Sequence, residues 1–163
     1  PRRQRQMCIR DSDIPADLMI EALSSRLVDD KTVEAPEWSR FVKTGIHRER
    51  IPVQENWWSI RSAAVLRKVA IRGPIGVNRL AQEFGGPRDR GVKPNSAAAG
   101  SRKIIRTILQ QLEKGGLIEA RTSPGGNVNL GKVISSKGQS YVDSVAHGAR
   151  DAAEARYPEL SRY

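Results

Sequence analysis

The chain has little of what disulfide, metal and catalytic sites require. Its 163 residues include one cysteine, Cys8, and two histidines, His47 and His147. A single cysteine has no partner within the chain, so an intrachain disulfide framework is excluded and an intracellular setting is indicated. The histidines lie a hundred residues apart, with no cysteine or carboxylate spacing typical of a ligand set. We therefore predict no catalytic residue, no metal, no cofactor and no small-molecule substrate.

Long apolar runs are missing as well. No stretch approaches the ~18 to 20 apolar residues that a membrane helix needs, and no segment has the signal-peptide order of basic, apolar and small residues. Hydrophobic residues make up 38% of the chain, which is enough for one modest core. We expect a single domain with no membrane partner.

Positive charge is present in excess, and it is concentrated in the middle of the chain. Residues 40–106 hold fifteen basic and four acidic residues, a net charge of +11, whereas residues 11–39 hold two basic and eight acidic residues, a net charge of −6. Twenty of the 28 basic residues are arginine, whose guanidinium binds phosphate bidentately and stacks on bases. The basic residues are spread over several predicted elements, which disfavours a single membrane-binding helix. This segregation favours a polyanionic partner, with nucleic acid as the leading candidate.

The two termini are set apart from the folded region. Residues 2–11 read RRQRQMCIRD and resemble a translated sequencing adapter, the interpretation we favour; a genuine disordered basic tail that binds RNA stays open. We assign no function there. The chain is divided into a disordered basic extension over 1–12, a single domain over 13–157 and a C-terminal tail over 158–163.

Hydrophobic periodicity predicts a mainly α-helical fold with a small β-hairpin. The predicted elements are a helix capped by Asp13, a short helix from Pro36, helices over 56–72 and 77–84, a loop over 85–100, a helix over 101–115, strands at 117–121 and 128–134, and a final helix from Ser136 that continues toward Arg156. In the short helix, Trp38, Phe41 and Val42 are expected to face inward. Three helices followed by a hairpin is the winged-helix order. We expect a winged-helix-like core with extra N- and C-terminal helices packed around it.

The helix predicted from Asn56 to about Arg72 is the most informative element. At 100° per residue, Trp57, Arg61, Lys68 and Arg72 fall within one arc of about 60°. Most of the remaining circumference is apolar, so we expect the helix to be central and buried except for this strip. The cations of the strip are predicted to contact RNA. For Trp57, stacking on a base and packing in the core both stay open.

More cations are expected to contact the partner from outside this strip. They come from the 85–100 loop and the exposed face of the helix after it: Arg88, Arg90, Lys93, Arg102, Lys103 and Arg106. For Arg67, which lies off the strip, an internal ion pair and an RNA contact are both open. Cations on several elements suit a folded RNA better than one DNA groove. The alternative is a winged-helix transcription regulator that binds duplex DNA and dimerises through a terminal helix.

Many short motifs are spaced over about residues 13 to 147. They are Glu37-Trp38, Lys43-Thr44-Gly45, Trp57-Trp58 with Arg61, Leu66-Arg67-Lys68, Gly73-Pro74, Gly76-Val77, Leu80, Phe84-Gly85-Gly86, Gly91, Lys93-Pro94, Gly100-Ser101, Ile105-Arg106, Ile108, the run from Leu109 to Glu113, and Gly116-Leu117. Together they resemble the small-subunit ribosomal protein nineteen family of archaea and eukaryotes, which is unrelated to the bacterial protein of the same number. The Trp57-Trp58 pair and the double glutamine resemble the archaeal branch most closely.

The resemblance implies a winged-helix-type structural protein in the head of the small ribosomal subunit. Its implied partners are small-subunit rRNA and neighbouring head proteins, its implied role includes subunit maturation, and its implied location is the cytoplasmic ribosome. We expect the protein to be monomeric when free. The family's basic surface on the central helix maps to Arg61, Arg67, Lys68 and Arg72. With the cations of the loop and the following helix and with Trp57, these are the predicted RNA-binding residues.

Overall fold

The computed structural model describes residues 14–126 and 128–157. Its elements are α1 (Ala16–Asp29), a 3-10 helix (Glu37–Phe41), α2 (Trp57–Arg72), α3 (Val77–Glu83), β1 (Gly86–Arg90), β2 (Lys93–Ala98), α4 (Arg102–Lys114), β3 (Ile118–Thr122), β4 (Asn129–Ile134), α5 (Ser136–Gly148) and α6 (Arg150–Arg156). The prediction of a mainly helical fold with a small hairpin is confirmed. Asp13, the extension over 1–12 and the tail over 158–163 lie outside the described residues.

Helix α2 lies at the centre of the core, against α1, α4 and β4. Met19, Leu23 and Leu27 recur every four residues along α1, so they fall on one face, and all three are fully buried. Across from them, Leu66 and Val69 of α2 are equally buried. Burying each such side chain contributes about 1.5–3 kcal/mol. The predicted central position of α2 therefore rests on a face that α1 covers along most of its length.

Helix α4 adds the other side of the core with an uninterrupted apolar stripe. Its buried side chains are Ile104, Ile105, Ile108, Leu109 and Leu112. Gln111 lies at the edge of this stripe, where its Oε1 accepts a hydrogen bond from Trp58 Nε1 at 3.1 Å and its Nε2 donates to the Glu34 carbonyl oxygen at 2.6 Å. The side chain of Gln111 thus connects α4 to α2 and to the segment after α1.

The β3–β4 hairpin follows α4 and is joined to the turn before α3. Ile75 and Lys132 exchange two backbone hydrogen bonds, of 3.0 and 2.9 Å, which add the Ile75 segment to the edge of β4. Gly131 has φ +125°, and a Cβ there would lie 2.8 Å from the Ile75 carbonyl carbon. Helices α2, α3 and α4 followed by this hairpin reproduce the predicted winged-helix order.

The C-terminal helices close the hairpin side of the core. Ser135 caps α5: its Oγ accepts a hydrogen bond from Gly138 N at 3.0 Å and donates to the Gly116 carbonyl oxygen at 2.6 Å. Gly138 lies so close to the chain entering β3 that a Cβ would be 2.0 Å from the Leu117 carbonyl oxygen. Near the other end of α1, the Tyr141 hydroxyl donates to Asp30 at 2.9 Å, and burial raises the pKa of Tyr141. The final helix predicted as one piece is divided at Ala149.

The loop predicted over 85–100 is instead an antiparallel β-ribbon, which we call the basic ribbon (β1–β2, residues 86–98). Gly86 pairs with Ala98 and Arg90 with Lys93, and Gly91 at the tip has φ +69°. The prediction was wrong because both strands are exposed along most of their length, so they carry no alternation of apolar and polar residues. The base of the ribbon is fixed by close backbone contacts, including a hydrogen bond of 2.8 Å from Gly100 N to the Ala81 carbonyl oxygen.

The prediction that Phe41 faces inward is also wrong. Its segment forms a 3-10 helix, which has three residues per turn, so the face expected of an α-helix does not apply. Ser39 is buried there, whereas Phe41 is 83% exposed. Among residues 14–126 and 128–157, no helix combines the length and apolar composition needed to cross a membrane.

Candidate nucleic-acid interface

The predicted cationic strip of α2 is present, but a carboxylate on α3 faces it. Lys68 Nζ lies 2.7 Å from Glu83 Oε2, and the Arg72 guanidinium donates to Glu83 Oε1. The Lys68 side chain is 30% exposed and that of Arg72 is 54% exposed, so both stay accessible to a ligand. The expectation of an unopposed row of charges therefore needs correction: one carboxylate balances part of the charge of two of its three cations.

The ion pairs of Glu83 also fix how it responds to acid. The hydrogen bond from Lys68 lowers the pKa of Glu83 below its ordinary value, with Arg72 adding to the effect. Because the folded-state pKa is depressed, the stability from these pairs is fully present above the unfolded-state pKa and is lost as the pH falls through the lower folded-state value. The pairs are therefore intact at neutral pH.

Arg61 is the member of the strip without a carboxylate partner. Its guanidinium lies 4.5 Å from the centre of the Phe84 ring, and Lys68 Nζ lies 5.7 Å from the same ring. The side chain is half-buried, and its burial, followed by the charge of Arg48, lowers the pKa of Arg61. Within residues 14–126 and 128–157, no carboxylate comes within 4.0 Å of it. Arg61 is thus a partly dehydrated cation stacked on an aromatic ring.

Three tryptophans form a row that ends at the surface beside Arg61. Trp58 is 2% exposed and makes edge-to-face contacts with Trp38 on one side, at 5.5 Å between ring centres, and with Trp57 on the other, at 5.3 Å. Trp57 is half-buried. The structure therefore gives Trp57 both roles that the sequence left open: one edge packs on the core, and part of the ring remains accessible.

The basic ribbon presents its cations in the open. Arg88, Arg90 and Lys93 are all exposed, and Arg90 Nε donates to the Pro94 carbonyl oxygen at 2.9 Å. Asp89, the only acid of the ribbon, accepts a hydrogen bond from Gly91 N at 2.8 Å and so stabilises the turn. None of the three cations forms an ion pair within the described part of the chain. Their charge is available to an external anion.

Helix α4 and Arg67 complete the set of predicted residues. Arg102 and Arg106 are exposed, and Lys103, also exposed, lies 4.9 Å from the centre of the Trp38 ring. Arg67 is half-buried, and its Nε has no hydrogen-bond acceptor among the described residues. The internal ion pair considered for Arg67 is not observed there, so an external contact is the option that remains.

The structure brings together predicted residues that are distant in sequence. Trp57 and Arg61 share a concavity with Pro87, Asp89 and Asn95 of the ribbon, so α2 and the ribbon form one continuous surface. Arg48 and Arg50 line the same concavity and were not among the predicted contacts. The basic character of residues 46–55 was visible in the sequence, but nothing in it indicated that this connection folds back beside α2.

Most of the central positive charge is unpaired. Of the fifteen basic residues between 40 and 106, only Lys68 and Arg72 form ion pairs with residues that the structure describes. Single exposed cations are ordinarily solvated, but many on one surface create a field that attracts a polyanion. Within the same described ranges, no group of three or more His, Cys, Asp or Glu is placed to hold a metal ion.

Comparison with known proteins gives a consistent result. A family model described as ribosomal protein S19e matches residues 11–152. The small ribosomal subunit protein eS19 of Haloarcula marismortui is 42% identical over 155 residues, which cover 93% of this chain and 96% of that protein. The protein of the same name from Thermoplasma acidophilum is 41% identical over 133 residues, 82% of this chain and 84% of that protein. The eS19B protein of Schizosaccharomyces pombe is 33% identical over 142 residues, 87% of this chain and 95% of that protein.

Proposed function

Because the chain belongs to the ribosomal protein S19e family, we propose that it is a structural component of the small ribosomal subunit that binds rRNA. In this proposal the protein sits in the subunit head, contacts neighbouring head proteins and is needed for maturation of the subunit. It works in the cytoplasm as part of the ribosome and is monomeric before assembly. The observation that carries the RNA-binding part is the set of unpaired cations on α2, the basic ribbon and α4.

The proposed mechanism is electrostatic clamping by a rigid scaffold. Each phosphate that a lysine or arginine neutralises releases condensed counterions, so affinity falls with salt by roughly one logarithmic unit per tenfold increase for each contact. The buried faces of α2 and α4 fix where the cations point, and the exposed ribbon extends the surface beyond the helices. Folded RNA presents phosphates from several backbones at once, which is the arrangement that such a spread of cations fits.

Fractionation of ribosomes from cells that carry a tagged copy tests this proposal. The protein is expected to sediment with the small subunit at low salt, and chemical footprinting should show protection of small-subunit rRNA. Depletion of the protein is expected to cause precursors of that rRNA to accumulate. Recovery of the protein with promoter DNA, together with its absence from subunits at low salt, would instead support a DNA-binding regulator and refute the proposal.

Replacing Glu83 by glutamine is expected to increase affinity for rRNA. The substitution removes the charge that holds Lys68 and Arg72, so about one or two more cations become free to bind phosphate. We expect a gain of about threefold to tenfold at 0.1 M salt and a steeper dependence of log K on log salt, measured by filter binding.

Glu55→Gln is the matched control, because it makes the same change in net charge at an exposed carboxylate with no ion pair among the described residues. Its effect on affinity should be smaller than that of Glu83→Gln. An equal gain in both variants would mean that total charge, rather than release of the two paired cations, sets the affinity.

A further inference from the structure

The concavity shared by α2 and the basic ribbon has properties that a flat phosphate-binding surface does not need. Its volume is about 620 Å³, which is within the roughly 300–1,000 Å³ of pockets that enclose small ligands. The segment from His47 to Gln54 forms one wall, the first turn of α2 forms the floor, and Pro87 and Asn95 of the ribbon form the opposite wall. A duplex is too wide for such a space.

One side of this concavity is cationic. Arg48 and Arg61 both line it, and the charge of Arg48 is close enough to lower the pKa of Arg61. Two carboxylates, Glu49 and Asp89, also line it, but neither lies within 4.0 Å of either guanidinium in the described structure. Two neighbouring cations without a bound anion repel each other, and the cost is larger because Arg61 is partly dehydrated. A phosphate between them removes that repulsion.

The other side of the concavity is apolar and contains an aromatic ring. Trp57, Ile60 and Pro87 line it, and the half-buried Trp57 is held edge to face against Trp58. His47 is packed at its margin, where Cβ atoms added to Gly45 and Gly86 would lie 2.7 and 3.1 Å from its ring. Burial lowers the pKa of His47, so the imidazole is neutral at physiological pH and adds no charge. An aromatic wall next to two guanidinium groups fits a base joined to a phosphate.

We propose that this concavity binds one unpaired nucleotide of the rRNA, with its phosphate between Arg48 and Arg61 and its base against Trp57. The inference rests on the proposed function and makes it more specific, since it names the RNA element that the site takes. RNA commonly exposes single nucleotides in bulges and loops, where an unstacked base can pack on an aromatic side chain. Arg50 and Asn95 at the rim are placed to contact the flanking backbone and the base edge.

The test uses the full-length protein and three RNA hairpins with the same stem: one fully paired, one with a single bulged uridine and one with an abasic residue at the bulge. Binding is measured by fluorescence anisotropy at 0.1 M salt. The wild type is expected to bind the uridine bulge about tenfold more tightly than the paired stem, a gain within the range of one stacked base. The abasic bulge should lose most of that gain.

Variants separate the base from the phosphate. Trp57→Leu should abolish the preference for the uridine bulge over the abasic bulge, whereas Trp57→Phe, which keeps an aromatic ring, should retain it. Arg48→Gln should weaken binding of the bulged RNA about fivefold more than binding of the paired stem. Arg79→Gln is the matched control, since Arg79 is exposed on α3 and does not line the concavity. It should affect all three hairpins alike.

Equal affinity of the wild type for the three hairpins would overturn this inference and leave the proposed function standing. A bulge preference that survives both Trp57→Leu and Arg48→Gln would also overturn it, because the nucleotide would then bind elsewhere. Failure of the wild type to bind any of the hairpins or small-subunit rRNA would refute the proposed function itself, and this inference with it.

Discussion

Replacing Arg88, Arg90 and Lys93 together by glutamate is expected to weaken binding of small-subunit rRNA at least about 100-fold at 0.1 M salt. All three side chains are exposed on the basic ribbon and unpaired among the described residues, so the fold does not depend on their charge. At this salt concentration each lost phosphate contact costs roughly tenfold in affinity, and the new carboxylates add repulsion. The dependence of log K on log salt should become less steep by about three units.

The control reverses the same amount of charge at the opposite end of α4. Lys31, Lys114 and Lys137 are exposed near Gly115, where Lys137 Nζ donates to the Gly115 carbonyl oxygen at 3.2 Å. Their triple replacement by glutamate should change affinity by no more than about threefold beyond the general effect of net charge. Circular dichroism should show native helix content for both proteins. If the two triple variants lose affinity equally, the ribbon has no special role in binding.

Gly138→Ala is expected to have the largest effect on stability. A Cβ at this position would lie 2.0 Å from the Leu117 carbonyl oxygen and 2.9 Å from Ile134 Cγ1, so α5 must move away from the base of the hairpin. Overpacking of this kind costs about 3 kcal/mol, which corresponds to a melting temperature lower by roughly 6–12 °C for a chain of this length. Thermal unfolding followed by circular dichroism at 222 nm measures the change.

Gly148→Ala provides the comparison, because it makes the same substitution at the last residue of α5, where no atom lies within 4 Å of the added Cβ. Its stability should be equal to the wild type or slightly higher, since alanine restricts the unfolded chain more than glycine does. A Gly138→Ala protein that melts with the wild type would show that α5 does not need its close approach to the hairpin.

The helices could be predicted from the sequence because each one buries a single stripe. Met19, Leu23 and Leu27 of α1 are an example, since their spacing alone places them on one face, and the structure buries all three. The basic ribbon could not be predicted in this way. Its strands bury almost nothing, and they are held by backbone pairing and by glycine contacts that leave no periodic pattern. Phe41 was misplaced because periodicity does not distinguish a 3-10 helix from a short α-helix.

The candidate site divides along a similar line. The arc of Arg61, Lys68 and Arg72 follows from helix geometry, and the structure places all three on the accessible side of α2. Their relation to Glu83 does not follow, because it depends on the angle at which α3 leaves α2. For the same reason the position of Arg48 beside Arg61 could not be predicted. Local spacing determines which face a side chain occupies, whereas tertiary packing determines what stands opposite it.

The hydrogen bonds of Gln111 have a consequence for the tryptophan row. Its oxygen must accept from the Trp58 indole and its nitrogen must donate to the Glu34 carbonyl, so the amide has one permitted orientation. That orientation holds Trp58, and the edge contacts of Trp58 hold the rings on either side of it. The outermost indole is therefore preorganised although it lies at the surface, and a ligand that stacks on it spends little conformational entropy in ordering it.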